Sequence, residues 1–120
     1  RFWEVLVPKN EPAVGDYRIK KIIRYIAKQY AKKITLKSMA LLAGLNTVYL
    51  GALFKKETGG TLKQYVIKTR IKNAENFLRT GEYTVTEAAG LCGYGDIFHF
   101  YKQFKAVTGI APSRCIPKGK

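Results

Sequence analysis

The stretch Thr35–Gly59, TLKSMALLAGLNTVYLGALFKKETG, decides how the chain folds, because a second stretch, Thr84–Gly109, TVTEAAGLCGYGDIFHFYKQFKAVTG, repeats its punctuation. In the first, Thr35 is a good N-cap for a short helix through Leu36, Met39, Ala40 and Ala43. Gly44 ends that helix by tolerating the left-handed backbone that a tight turn needs. Asn46 starts a second helix running to about Thr58, with Leu50, Leu53 and Phe54 as its inward set and Gly59-Gly60 as its stop. In the second stretch, the capping box Thr84-Val85-Thr86-Glu87 opens a helix through Ala89 and Leu91 to Cys92. Gly93 then makes the turn, and Asp96 caps a helix from Ile97 to about Thr108 that Gly109 closes, with Pro112 beyond it.

Slid on itself by 49 positions, the chain sets Thr35 on Thr84, Ala40 on Ala89 and Gly44-Leu45 on Gly93-Tyr94. One residue is gained at the turn, and at an offset of 50 Leu50 matches Phe100, Phe54-Lys55 matches Phe104-Lys105, and Thr58-Gly59 matches Thr108-Gly109. A repeat that keeps cap, turn glycine, core aromatic and closing glycine describes two copies of one supersecondary unit, each with a helix-turn-helix outline.

Between the copies lies the longest helical stretch, Thr61 to Thr80. The capping box Thr61-Leu62-Lys63-Gln64 opens it, Leu62, Tyr65, Val66, Ile71, Ala74 and Leu78 form its inward set, and Gly81 stops it. About 18 residues at 1.5 Å rise separate the units by roughly 27 Å, and successive major grooves on one face of B-DNA lie about 34 Å apart. Two units on such a rod suit adjacent major grooves. Upstream, Asp16 caps an amphipathic helix whose Ile19, Ile22, Ile23, Ile26 and Tyr30 recur at helical spacing, with Lys20, Lys21, Arg24 and Lys28 mostly on other faces.

This reading is all-α. It divides the chain into 1–16, a linker or the end of an upstream domain; 17–69, a first helix-turn-helix subdomain with the start of the linker helix; 70–114, the end of that helix and a second subdomain; and 115–120, a tail. Pro8, Pro12 and Gly15 give the first segment the composition of turns and extended chain. The chain opens Arg1-Phe2-Trp3, with no initiator Met and no signal peptide, and is expected to be a fragment of something longer.

Charge points to the partner. Among 120 residues, 22 Lys and Arg face 8 Asp and Glu, a formal net charge of +14. Residues 17–73 hold 14 of the cations and a single acid, Glu57. Such a surface suits a polyanion. No apolar run is long enough to cross a bilayer, so membrane spanning is not expected. Cys92 and Cys115 match no CxxC spacing and read as free thiols, without a metal site. No Ser-His-Asp or Cys-His arrangement is suggested, the eight acids are scattered and the glycines stand at helix ends. Neither catalysis nor a cofactor is expected.

Residues 17 to about 114 resemble the DNA-binding domain of AraC/XylS-type bacterial transcription regulators. The first half shows Ala43-Gly44-Leu45, Tyr49-Leu50, Leu53-Phe54-Lys55-Lys56-Glu57-Thr58-Gly59, Tyr65, Arg70 and Ala74. The second shows Gly93-Tyr94, Asp96, Phe100, Phe104-Lys105, Gly109 and Pro112. This chain departs from the family pattern in having Cys115-Ile116 where an aromatic and an Arg are usual, and Ala88 where a larger aliphatic is usual. The resemblance implies seven helices, with two homeodomain-like helix-turn-helix units bridged by one long helix. It also implies activation or repression at promoters, contact with RNA polymerase, an upstream sensor, receiver or dimerisation domain, and a cytoplasmic, nucleoid-associated location.

The residues expected to meet DNA are the outward stripes of the two recognition helices. In the first, removing the inward set leaves Thr47, Val48, Gly51, Ala52 and Lys55 as one outward stripe, and the cap Asn46 and the neighbouring Lys56 are counted with it. Gly51 and Ala52 offer no hydrogen-bonding side chain. This motif is therefore expected to read thymine methyls through Val48, Ala52 and the Thr47 methyl, with close backbone approach at Gly51 and phosphate contacts from Lys55 and Lys56. The second stripe is Ile97, Phe98, Tyr101, Lys102 and Lys105. Lys102 is the first choice for a guanine O6/N7 contact and Tyr101 the second, while Phe98 and Tyr101 have the alternative of packing into the domain. A rival reading makes the chain a basic interaction module for RNA or an anionic membrane, since the helix around Ile19 to Tyr30 is cationic and amphipathic.

Overall fold

A computed structural model describes residues 15–118. Among them are six α-helices: α1 (Tyr17–Gln29), α2 (Leu36–Ala43), α3 (Thr47–Thr58), α4 (Leu62–Arg79), α5 (Val85–Leu91) and α6 (Ile97–Thr108). A 3-10 turn, Pro112–Cys115, follows. Seven helices were expected; the described residues hold six, and after Gly109 the described residues make only this short turn. The turn is closed by i→i+3 bonds, Arg114 N–H to Ala111 O and Ile116 N–H to Ser113 O, and is too short for an α-helical ladder. The segment 1–16 lies outside the described residues except for Gly15 and Asp16, as do the last two residues of the 115–120 tail.

The chain divides into two units, one comprising 15–29 and 34–65 and the other 30–33 and 66–118. In the first, α1 packs against α2 and α3, and α2 against α3. Ile19, Ile22, Ile23 and Ile26 recur at i, i+3, i+4 and i+7 on α1 and are buried with Met39, Ala40, Leu50, Phe54 and Leu62. Each such aliphatic side chain contributes about 1.5–3 kcal/mol on leaving water. Tyr65 meets the Phe54 ring edge-on, with centroids 5.6 Å apart. The start of α1 is held by an acid from the end of α3: Glu57 accepts from the backbone N–H groups of Gly15 and Asp16 at 3.1 and 3.2 Å.

The second unit buries Ile71, Ala74, Leu78, Ala88, Ala89, Cys92, Tyr94, Phe100, Phe104 and Cys115 in one cluster, with Tyr30 and Ile116 packed against it. Ala88 is wholly buried there. Residues 30–33 join this unit through backbone chemistry. The Arg70 guanidinium donates to the carbonyl oxygens of Tyr30, at 2.6 Å, and Lys32, at 2.8 Å, and lies 5.6 Å from the centroid of the Tyr94 ring.

The repeat is visible bond by bond. Leu45 N–H donates to Ala40 O at 2.9 Å, and Tyr94 N–H donates to Ala89 O at 3.0 Å. The Thr58 hydroxyl donates to Phe54 O at 2.8 Å and accepts from Gly60 N–H at 3.3 Å. Thr108 does the same with Phe104 O, at 2.8 Å, and Ile110 N–H, at 3.2 Å.

Candidate nucleic-acid interface

α2 and α3 meet at 90° across a turn closed by Gly44, which sits at φ +72°. That angle is the helix-turn-helix geometry, in which the second helix presents its outer face. Thr35 caps α2 reciprocally with Ser38, a capping box without the usual Glu or Gln. Asn46 caps α3, its side-chain oxygen accepting from Tyr49 N–H at 2.8 Å. In the second unit Thr84 and Glu87 cap α5, and the Asp96 carboxylate accepts from Phe98 N–H at 2.9 Å to start α6.

On α3 the side chains of Thr47, Val48, Ala52, Lys55 and Lys56 are exposed, as is the cap Asn46. Val48 is 83% exposed. Gly51 is half-buried, and a methyl placed there would lie 3.7 Å from Leu36 Cδ2. Beside it opens a cleft of about 590 Å³ lined by Ile34, Leu36, Leu62 and Lys63 among others. Leu53, expected inward, is half-buried, because α3 turns only its Leu50 and Phe54 edge fully into the core.

On α6 Phe98 is 81% and Tyr101 40% exposed, so the Phe98 ring does not pack into the unit; the Tyr101 ring touches Phe100 edge-on. Lys102 and Lys105 are exposed, while Ile97 is half-buried and packs against the core cluster. His99 stands on the surface with its ring edge-on to Tyr94. Leu91 is half-exposed at the end of α5, where Cys92 takes the buried position.

Tyr49 is the surface residue that the stripe argument missed. Its ring, half-exposed, lies 5.8 Å from the Arg18 guanidinium. Arg18 also pairs with Asp16 at 3.0 Å, and that hydrogen bond holds the Asp16 carboxyl below the usual carboxylate range. The same bond, followed by Tyr49, raises the Arg18 pKa. A signal for this trio existed in the Asp16-x-Arg18 spacing at a helix start, but nothing local to Tyr49 announces it. Further cations, Lys21, Lys28, Lys37 and Lys63, stand exposed in this unit, whose acids Asp16 and Glu57 are both engaged with the start of α1.

The two thiols are buried in the core of the second unit. Burial pushes the Cys92 thiol up to about 12 and also raises Cys115. Among the described residues no group of His, Cys, Asp and Glu is placed to hold a metal ion, and no single helix is long and apolar enough to cross a membrane.

Residues 39–116 match the family described as "Helix-turn-helix domain". The C-terminal domain of AraT, a response regulator from Geobacillus stearothermophilus, superposes with a TM-score of 0.80 at 25% identity over 88% of this chain and 92% of that one. A "probable AraC family transcriptional regulator" from Rhodopseudomonas palustris gives a TM-score of 0.75 at 25% identity, over 85% and 100% of the two chains. The uncharacterized transcriptional regulatory protein YesN of Bacillus subtilis is 36% identical over 103 residues, 82% of this chain and 28% of that protein. The chain belongs to the AraC-type helix-turn-helix family and is a DNA-binding domain of transcription regulation. It spans between about a quarter and a half of the length of the curated relatives that it matches.

Proposed function

We propose that the chain binds promoter duplex sequence-specifically, with α3 and α6 each entering a major groove and the two grooves adjacent on one duplex. The observation that carries this is the duplicated motif: two capped twelve-residue helices, each with an exposed outer face ending in lysine. In this reading Lys55, Lys56 and Lys105 meet phosphates, and Thr47, Val48, Ala52, Tyr101 and Lys102 meet base edges, with Gly51 allowing close backbone approach. Asn46 orders the helix start, and Ile97 supports the base of the second face. The chain serves as a binding module rather than a catalyst. It acts within a longer cytoplasmic regulator whose upstream domain senses, receives or dimerises, and which contacts RNA polymerase.

Selection from a random duplex pool, followed by footprinting, tests the reading. A recovered consensus protected across two successive major grooves is the expected result. Equal binding to duplex, structured RNA and anionic vesicles at one physiological salt concentration would sink it.

A further inference from the structure

Val48 and Phe98 are the two most exposed large hydrophobic side chains among the described residues, at 83% and 81%. They are also the same position of the repeat, 50 residues apart, each second in its helix after the cap. The other strongly exposed hydrophobics lack such a match. Leu41, 78% exposed, falls on Gly90, and half-exposed Tyr49 and Tyr101 fall on His99 and Gly51. An apolar side chain held in water twice, at the end of the recognition helix that approaches base edges, calls for an apolar partner. In a major groove that partner is the C5-methyl of thymine.

We propose that Val48 and Phe98 are a matched pair of methyl readers, each selecting a 5-methylpyrimidine at the equivalent step of its own half-site. The proposal rests on the duplex-binding reading above and adds what that reading leaves open: which base chemistry both motifs share. The caps fix the position. Asn46 binds Tyr49 N–H and Asp96 binds Phe98 N–H, so the first turn of each helix is ordered where the reader projects.

The test uses the 120-residue chain and its best selected duplex, with each thymine replaced singly by deoxyuridine. That exchange removes one methyl and leaves every hydrogen-bonding edge unchanged. Two replacements, one per half-site at the same step, should each weaken binding about fourfold, the equivalent of about 0.8 kcal/mol for one buried carbon. Phe98→Ala should erase the penalty in one half-site and Val48→Ala in the other, while Leu41→Ala leaves both. Circular dichroism checks that the variants stay folded. If the chain binds its duplex with a uracil profile that neither variant alters, the methyl readers are wrong and the duplex reading stands. If no duplex is selected at all, the reading beneath has failed. A self-association that Phe98→Ala dissolves, with the uracil profile intact, would assign the patch to a protein partner and overturn the proposal.

Discussion

The backbone of Gly93 passes so close to Ala31 that a methyl group on its α-carbon would stand 2.5 Å from the Ala31 carbonyl oxygen. Gly93 also sits at φ +95°, so two independent constraints fall on one residue. Its repeat counterpart Gly44 carries only one: φ is +72°, and nothing lies within 4 Å of where a methyl would go.

The two glycines should therefore respond differently to one substitution. Gly44→Ala should cost about 1–2 kcal/mol, the price of a left-handed L-residue. Gly93→Ala should cost about 3–5 kcal/mol, because the clash is with backbone and residues 30–33 must shift. Urea denaturation of both variants checks the ordering, and equal losses would refute it.

Gly51→Ala should stabilise the chain by about 0.5–1 kcal/mol, since a glycine inside a helix gives up that much and the new methyl meets Leu36 at ordinary contact distance. If the α3 backbone approaches DNA at this point, affinity should fall while the melting temperature rises. Measuring both on one preparation separates the effects; a gain in both would remove Gly51 from the interface.

Lys102 and Lys55 are both exposed, yet the proposed roles differ. Lys102→Ala should cost about 1–3 kcal/mol on the best site and relax preference at one position. Lys55→Ala should weaken all sequences alike and reduce the salt slope by about one. Titrations on a specific and a scrambled duplex across salt decide it. Equal losses on both duplexes for Lys102→Ala would return the reading of bases to Thr47, Val48 and Ala52.

The buried Cys92 thiol titrates at about 12 against an ordinary 9.0, with burial as the main cause. The unfolded chain therefore ionises first. Its contribution to stability is complete below about pH 9 and declines as pH rises towards 12. Comparing denaturation of the parent and Cys92→Ala over that range isolates the effect, which should appear as a shallower alkaline loss in the variant. At neutral pH a thiol reagent should modify Cys92 only as fast as the unit opens.

Caps and stops were legible in the sequence because each is written in one or two neighbouring residues: Thr84 with Glu87, Asn46 before α3, Gly109 after α6. The outward faces were legible for the same reason, since helical spacing alone places Val48 and Ala52 opposite Leu50 and Phe54. What stayed hidden depends on residues far apart in the chain. Arg70 finds the Tyr30 carbonyl across 40 positions, and Glu57 finds the Gly15 amide across 42. Periodicity gives a direction and not a neighbour, so it does not announce that the Tyr49 ring meets Arg18 or that a methyl at Gly51 would meet Leu36.

The closing bonds of α3 and α6 have one further consequence. Gly59 N–H reaches Lys55 O and Gly109 N–H reaches Lys105 O, both at 2.8 Å, and a threonine locks each end in the same way. Each recognition helix is thus a cassette with fixed ends, anchored through its Leu50 and Phe54 or Phe100 and Phe104 edge. The exposed side chains of Val48, Ala52, Phe98 and Lys102 take no part in that anchoring, so under the proposed duplex reading the sequence each cassette prefers is free to drift, one motif independently of the other, without renegotiating the fold that carries it.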